Sequence, residues 1–333
     1  PDLFNFFLTG EKANEFTISS TTQCYNPKQK NWDFEMLKKL GIPTKIFGEI
    51  VAPGTLLGKL RPSLAQEIGY SASVISNAGH DTACAIAAVP STDDDYIYLS
   101  SGTWSLMGVL LDQPIISKES MAADMTNEGG FDGKIRFLKN IVGLWLVQEC
   151  RRQWAREGKK YSYAELTDMA SQAPPLVSLS EPGESRFMAP KHMPRAIQEY
   201  CQETGQVVPE SKGAIIRAVL ESLALEYRSV AEQIEKLTGK EYPVIHIIGG
   251  GTQNKLLNQF AANATGKSVV AGPVEATAIG NILIQAIAMG EISSLVEGKA
   301  MLKNSFDVES YTPKENAAWD EAYAKYKRIK KEK

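Results

Sequence analysis

The sequence predicts a mixed α/β protein built from two domains. Towards its C-terminal end, predicted strands at 244–248 and 269–270 alternate with predicted helices at 253–264 and 276–288. Alternation of strand and helix is typical of α/β folds, in which helices cover the faces of a sheet. The length of 333 residues exceeds that of one typical domain and indicates two.

Composition and charge exclude several classes of protein. Hydrophobic residues make up 43% of the sequence and charged residues 23%, which suffices for a packed core. A net charge of −3 offers no basic surface for nucleic acid. No apolar run reaches the roughly 20 residues that span a bilayer, and we expect no signal peptide because the opening residues lack a basic segment. The scattered cysteines and histidines lack metal-ligand spacing, so we expect a cytoplasmic protein with no metal site of its own and no nucleic-acid or membrane partner.

A polar break marks the predicted domain boundary, at Pro90 and the acidic triplet 93–95. We assign residues 1–90 to the first domain, 91–312 to the second, and 313–333 to a C-terminal helix. The elements predicted for the first domain are a helix and polar loops within 1–35, a short helix at 37–40, a helix or turn at 61–70, a buried strand at 74–75, and a helix over the small-residue run 83–89. Small residues suit a helix that packs tightly against a neighbour.

The second domain begins with two predicted strands, at 96–99 and 104–111, around a hairpin turn at 100–103. Its later elements, besides those already given, are a turn at 127–130 that leads into a short strand, an amphipathic helix at 140–156, a loop-rich region at 172–210, and a long helix at 212–238. Asn140 and Gln148, eight residues apart, would share one face of the amphipathic helix.

Asp81 is the candidate catalytic base. It follows Gly79 and His80 in a turn that precedes a predicted helix. A hydroxyl that attacks a phosphate needs a carboxylate placed to accept its proton. The alternative is an N-cap, because an aspartate before an alanine-rich helix is a common cap. His80 alone is typical of a hydrogen-bonded structural residue.

Two glycine-containing turns are candidate ligand contacts. Gly249, Gly250 and Gly251 stand between a predicted strand and helix, where the backbone can approach a ligand closely. The triplet matches neither a dinucleotide fingerprint nor a P-loop, and an ordinary tight turn is the alternative. The 100–103 turn offers hydroxyls and backbone N–H groups to an anion, or is an ordinary hairpin.

These runs together resemble the FGGY carbohydrate kinases, most closely the rhamnulokinase branch of that family. The matching runs are 77–83 (NAGHDTA), 99–108 (LSSGTWSLMG), 127–148 (NEGGFDGKIRFLKNIVGLWLVQ) and 247–281, which contains GGGTQNKLLNQ and AGPVEATAIGN. The opening run PDLFNFFLTGEKANE is also similar, so the resemblance covers nearly the whole chain. It implies two ribonuclease-H-like domains of the actin, hexokinase and sugar-kinase type.

The resemblance also implies roles for individual residues. Asp81 would be the base, and would bind the sugar together with His80, Thr82 and Asn140. Thr103 would approach the phosphates of ATP, with Gln148 and Gly250 near the nucleotide. The implied reaction transfers phosphate from ATP, with Mg²⁺, to O1 of L-rhamnulose. The base and cap roles of Asp81 are compatible.

Three alternatives stay open on the sequence alone. The sugar could be another ketose, such as L-fuculose or L-xylulose, or the protein could bind ATP and sugar without catalysis. In addition, chains of this family begin with a strand and a glycine- and serine-rich turn that grips ATP phosphates, and residues 1–60 do not resemble it. We therefore expect the first domain to be incomplete at its N-terminus, which leaves the activity of this chain alone open.

Overall fold

The structure, a computed structural model, describes residues 1–91, 93–314 and 316–331. Its α-helices are α1 (Asp2–Thr9), α2 (Phe16–Ser19), α3 (Phe34–Lys39), α4 (Pro62–Ile68), α5 (Asp81–Ala87), α6 (Lys118–Ala122), α7 (Trp145–Arg156), α8 (Tyr163–Ser171), α9 (Met193–Glu203), α10 (Lys212–Thr238), α11 (Lys255–Thr265), α12 (Ala276–Ala288), α13 (Leu295–Ser305) and α14 (Asn316–Lys331). Short 3₁₀ helices lie at Ser20–Thr22, Thr44–Ile46, Phe131–Gly133, Ser185–Phe187 and Gly250–Gln253.

The strands are β1 (Asn14–Glu15), β2 (Tyr25–Asn26), β3 (Asn31–Trp32), β4 (Ile50–Val51), β5 (Thr55–Lys59), β6 (Ser73–Ser76), β7 (Tyr96–Ser101), β8 (Trp104–Leu111), β9 (Thr126–Gly129), β10 (Ile135–Val142), β11 (Val244–Ile248), β12 (Ser268–Ala271) and β13 (Glu309–Tyr311). The mixed α/β class predicted from the sequence is therefore confirmed. None of the helices in the described ranges combines the length and the apolar character needed to cross a bilayer.

The chain forms two compact units, each assembled from separate segments. Unit 1 consists of Pro1–Asp94, Val109–Leu138 and Glu275–Asp307, and unit 2 of Asp95–Gly108, Lys139–Val274 and Val308–Lys333. The sequence-based boundary near residue 90 stays a prediction. The predicted C-terminal helix corresponds to α14, while residues 315, 332 and 333 of that prediction, and residue 92 at the predicted boundary, lie outside the described residues.

The main sheet has seven strands in the order β13-β12-β11-β7-β8-β10-β9. In unit 2, β11 pairs in parallel with both β7 and β12, so that Ile245 lies between Ile97 and Val269. These three residues are wholly buried. Parallel strands of this kind need cover on both faces, which explains their continuous apolar sequence. The predicted β7–β8 hairpin is present and antiparallel, but β7 extends to Ser101, which pairs with Ser105, so the turn is shorter than the predicted 100–103.

Unit 1 is organised around the close contact of α5 with α12. Every residue of α5 from Thr82 to Ala87 is buried. A Cβ atom at Gly280 of α12 would lie 1.8 Å from the carbonyl oxygen of Cys84. The two backbones therefore touch, which only glycine allows, and the tight packing predicted from the small-residue run is confirmed.

The helix predicted at 140–156 begins later than expected. Residues up to Val142 belong to β10, and α7 begins at Trp145. The reason is that Ile141 and Val142 are β-branched and buried in the sheet, so packing decides their conformation. Asn140 and Gln148 consequently do not share a helix face, and that prediction is wrong.

Two other local predictions are corrected. Residues 127–130, predicted as a turn, belong mainly to β9, because they pair in register with β10. The region 172–210, predicted as loop, contains α9, with buried residues at Met193, Ile197, Tyr200 and Cys201. Pro194 lies in the first turn of α9, where proline is favoured, so a residue that suggested a loop is a helix start.

Replacing Gly280 with alanine should destabilise the protein. The added methyl group would overlap the Cys84 carbonyl, and overpacking of this kind costs about 1–3 kcal/mol. Gly298→Ala in α13 is the matched control, because the atoms nearest to its new methyl group would belong to the Leu283 side chain and not to backbone. Denaturant unfolding measures both variants. Equal free energies of unfolding for the two would contradict a rigid α5–α12 contact.

Candidate active site

The turn between β6 and α5 carries His80 and Asp81 in unit 1. His80 is the N-cap of α5, with an extended backbone, and its Nδ1 accepts a hydrogen bond of 3.2 Å from the Thr82 N–H. Asp81 is the first helical residue, and its Oδ1 accepts from the same N–H at 2.6 Å. The predicted cap at Asp81 is therefore displaced by one residue, because a ring nitrogen of His80 serves as the capping acceptor.

The carboxylate of Asp81 faces solvent, with 79% of its side chain exposed. The neighbouring His80 side chain is the largest influence on its pKa, and it outweighs the opposing effect of partial burial. The backbone N–H and the hydroxyl of Thr82 also lower the pKa, which falls to about 2. Asp81 is therefore an ionised hydrogen-bond acceptor at any physiological pH. Thr82 is itself buried beneath it.

His80 lies between two carboxylates. Its Nδ1 is 3.4 Å from Asp81 Oδ1, and its Nε2 is 3.5 Å from Glu128 Oε2. Arg136 donates from Nη2 to the same Glu128 oxygen at 2.9 Å and from Nε to the Gly129 carbonyl at 2.7 Å. The side chains of Asp81, His80, Glu128 and Arg136 thus form a series in which acidic and basic groups alternate. Arg136, at the end of the series, is wholly buried.

Sequence reasoning did not single out Glu128 or Arg136. The two residues pair directly across β9 and β10. Oppositely charged residues on either side of a glycine-containing turn would have indicated such a cross-strand pair, had residues 127–130 been assigned to a strand. The pair fixes the carboxylate that faces the His80 ring.

Unit 2 brings Thr103 and Gln148 together. The amide nitrogen of Gln148 donates to Thr103 Oγ1 at 3.0 Å. This contact follows from the local fold, because the N–H groups of Gly143 and Trp145 donate to the Thr103 carbonyl and hold the start of α7 against the hairpin. Gln148 then lies one helical turn beyond Trp145, above the hairpin tip.

The glycine turn after β11 packs against the same hairpin. Gly249 has a φ of 86°, and a Cβ atom there would lie 3.2 Å from the Ser101 carbonyl oxygen. A Cβ atom at the buried Gly251 would lie 2.0 Å from Ser101 Oγ. Gly250 is exposed, and a Cβ atom there would have no neighbour within 4 Å. The fold therefore requires glycine at 249 and 251 but gives no reason for it at 250.

The predicted site residues divide between the two units. His80, Asp81 and Thr82 lie together in unit 1, whereas Asn140 is an exposed residue of β10 in unit 2. The residues predicted to bind the nucleotide, Thr103, Gln148 and Gly250, also lie in unit 2, around the tip of the β7–β8 hairpin.

Family models match both parts of the chain. Residues 1–88 match the N-terminal domain of the FGGY family of carbohydrate kinases, and residues 97–289 match its C-terminal domain. The chain is 46% identical to a rhamnulokinase of Bacteroides thetaiotaomicron, over 98% of this chain and 67% of the relative. It is 45% identical to a rhamnulokinase of Halalkalibacterium halodurans, over 93% of this chain and 66% of the relative. It is 39% identical to a rhamnulokinase of Bacillus subtilis, over 95% of this chain and 64% of the relative. The chain thus spans about two thirds of the length of these curated relatives.

Solved structures share the fold. A ligand-bound xylulose kinase from Lactobacillus acidophilus has a TM-score of 0.76 at 18% identity, covering 99% of this chain and 66% of that one. Glycerol kinase from Plasmodium falciparum with ADP has a TM-score of 0.76 at 16% identity, and the match covers 99% of this chain and 65% of that one. These likenesses confirm the two-domain sugar-kinase fold that the sequence resemblance implied.

His80→Asn should raise the pKa of the Asp81 carboxyl from about 2 towards the ordinary value of about 4, because asparagine keeps a capping oxygen but removes the imidazole. Carbon-13 NMR titration of the carboxyl measures the change. Asp112 is the control, since its pKa is lowered by Lys134 instead.

The same shift links Asp81 to stability. Its folded pKa lies below the unfolded value, so its stabilising effect is present above pH 4 and is lost as the pH falls through about 2. His80→Asn should weaken that acid dependence. An unchanged Asp81 midpoint in the variant would show that His80 does not set this pKa.

Proposed function

Because this chain belongs to the FGGY family of carbohydrate kinases, we propose that the protein phosphorylates L-rhamnulose at O1 with ATP, giving L-rhamnulose 1-phosphate and ADP. The choice of sugar is supported by identities of 39–46% to rhamnulokinases over most of the chain. The observation that carries the chemistry is an exposed, ionised Asp81 at the start of an otherwise buried helix. Its place in L-rhamnose breakdown follows from that substrate.

Asp81 acts in this proposal as the general base that orients the attacking hydroxyl and receives its proton. A pKa of about 2 is low for a base at neutral pH, where matched values work best. Phosphoryl transfer, however, passes through a loose transition state in which the nucleophile contributes little bonding. The proton can then leave late, so orientation by a permanent carboxylate matters more than its basicity. His80, Thr82 and Asn140 border the sugar in this scheme.

Thr103, Gln148 and Gly250 form the nucleotide side of the proposed site. Thr103 would approach the ATP phosphates, and the glycine turn would pass beneath the adenine. Support comes from Gly250, whose lack of a side chain answers no steric need of the fold. An exposed glycine in such a turn leaves room for a ligand to lie on the backbone.

Mg²⁺ fits this arrangement as an ion held chiefly by the ATP phosphates. Among the described residues there is no group of three or more His, Cys, Asp and Glu side chains that could hold a metal. Mg²⁺ commonly keeps several waters and binds through substrate phosphates with few protein ligands, so the hydroxyl and amide oxygens of Thr103 and Gln148 suit it. When bound, it would neutralise phosphate charge. A cytoplasmic location stays a prediction of the sequence.

Asp81→Asn should reduce kcat for L-rhamnulose by about 10²–10⁴-fold, because a neutral amide neither orients the hydroxyl as a carboxylate does nor accepts its proton. A coupled ADP-release assay on the product of the complete reading frame measures this, with the exposed Asp112→Asn as control. Turnover that survives Asp81→Asn would sink the base assignment.

The same assay with L-fuculose and L-xylulose tests the sugar. We expect L-rhamnulose to be preferred. Equal rates on all three ketoses would count against that specificity, and nucleotide binding without sugar-dependent turnover would favour a non-catalytic binding protein.

Gly250→Ala should weaken ATP binding while leaving the melting temperature unchanged, because its methyl group meets no protein atom. Gly251→Ala is the opposite control, since its methyl group would overlap Ser101 and destabilise unit 2. Calorimetry with ATP and thermal unfolding separate the two effects. Unchanged ATP affinity in Gly250→Ala would remove this turn from the nucleotide site.

A further inference from the structure

The carboxylate of Glu15 is fully buried in unit 1 and takes no part in the reaction described above. Glu15 is the last residue of β1, and its carboxylate receives four hydrogen bonds. Its Oε1 accepts from the Thr17 N–H at 2.8 Å, while Oε2 accepts from the Ile18 N–H at 3.1 Å, the Thr17 hydroxyl at 2.6 Å and the Gly79 N–H at 2.8 Å. The last of these comes from the turn that carries Asp81.

A second link joins the same carboxylate to the next residue of that turn. The His80 N–H donates to Thr17 Oγ1 at 3.0 Å, so the hydroxyl must direct its own proton to Glu15. Two consecutive backbone N–H groups, at Gly79 and His80, are thus held by one carboxylate, directly and through Thr17. Asp81 is the next residue along the chain.

Capping of α2 does not by itself explain why position 15 is a glutamate. Glu15 caps this short helix through the Thr17 and Ile18 N–H groups, but aspartate is the usual acidic cap. The extra methylene of glutamate lets the carboxylate also reach Gly79. Glycine at 79 completes the fit, because a Cβ atom there would lie 3.0 Å from Glu15 Oε2 and 3.2 Å from the Ile18 side chain.

The hydrogen-bond donors around Glu15 favour a structural anion. Burial raises the pKa of Glu15 above its ordinary value, although the hydrogen bonds from Thr17, Gly79 and Ile18 act in the opposite direction. All four neighbours are donors, and an ionised carboxylate is purely an acceptor, so the charged form matches its surroundings. Protonation would add a fifth hydrogen to a carboxylate that already accepts four hydrogen bonds.

The segment that follows Glu15 also holds the strand opposite His80. The Ser20 hydroxyl accepts from the Gly129 N–H at 2.7 Å, and the Phe16 ring packs where a Cβ atom of Gly129 would lie, 2.8 Å away. Gly129 directly follows Glu128, whose carboxylate faces the His80 ring. Residues 15–20 therefore fix both the backbone under His80 and the strand that bears its second carboxylate partner.

We propose that Glu15, acting through Thr17 and the Gly79 amide, is a positioning residue that sets where Asp81 presents its carboxylate to the sugar hydroxyl. This inference rests on the proposed function, since it assigns a role in that reaction. Glu15 itself touches no reacting atom. A displacement of about 1 Å at a catalytic group can cost on the order of 10²-fold in rate, so the anchoring of two adjacent amides is a sufficient means of control.

The test uses variants that each release one amide. Thr17→Val removes the hydroxyl with little change in volume, and Glu15→Asp keeps the charge and the α2 cap but is too short to reach Gly79. Thr17→Ser restores the hydroxyl. Ser120→Ala is the control, because Ser120 is a buried hydroxyl residue of unit 1 whose Oγ accepts from the Ser117 N–H at the start of α6.

Hydrogen exchange monitored by NMR should be at least about fivefold faster at the His80 amide in Thr17→Val and at the Gly79 amide in Glu15→Asp, and unchanged there in Ser120→Ala. In the sugar-kinase assay, kcat should fall about 10²-fold in both variants while KM for ATP stays constant. Thr17→Ser should recover most of kcat.

Protected amides in both variants, or faster exchange with an unchanged kcat, would overturn the positioning role. A loss of kcat in Ser120→Ala equal to that of the variants would also overturn it, since general destabilisation would then explain the effect. A wild-type protein without sugar-dependent turnover would overturn the proposed function. The exchange measurement needs no activity, so it would still decide whether Glu15 holds the turn.

Discussion

The backbone contact between α5 and α12 is the constraint on which the candidate site depends. With Gly280 against the Cys84 carbonyl, α5 cannot shift or rotate without breaking main-chain packing. Residues 82–87 are buried, so the helix has a single orientation in unit 1. Asp81, at its first position, is the point at which this helix emerges into solvent. The position of the carboxylate is therefore set by helix packing at one end and by the anchored Gly79 and His80 amides at the other.

The position of the His80 ring depends on a series of acidic and basic side chains that contact one another. Arg136 is completely buried, and a buried guanidinium is costly unless it is paired and hydrogen-bonded. Glu128 and the Gly129 carbonyl provide those partners, and Glu128 in turn faces the His80 ring. Removing Glu128 would leave the arginine charge uncompensated as well as freeing the ring. The side chain that lowers the pKa of Asp81 is thus held by a pair of charges that unit 1 already needs for its own stability.

Local sequence patterns predicted the elements whose conformation is decided locally. Strand β8 and helix α12 have the predicted bounds, because a β-rich apolar run extends through the first and a helical pattern through the second. The helix predicted from Asn140 was wrong because the β-branched residues that follow belong to a strand. The loop predicted around Pro194 was wrong because a proline in the first turn of a helix resembles a loop in sequence. Sequence reasoning also singled out Asp81 as a candidate but not Glu15. No local pattern could have revealed the contact of Glu15 with the turn at Gly79, because the two residues are 64 positions apart in the sequence.

The run Gly79-His80-Asp81-Thr82-Ala83 illustrates how a family motif combines different physical requirements. Gly79 lets a buried carboxylate approach the backbone, His80 caps a helix and lowers a neighbouring pKa, and Thr82 and Ala83 are buried. Of the five, Asp81 alone has an exposed side chain. The triplet 249–251 divides in the same way, with two glycines required by packing against Ser101 and one, Gly250, that is not. In both motifs, packing and capping explain the other residues, and the one exposed residue, Asp81 or Gly250, is the position whose identity the fold alone does not explain.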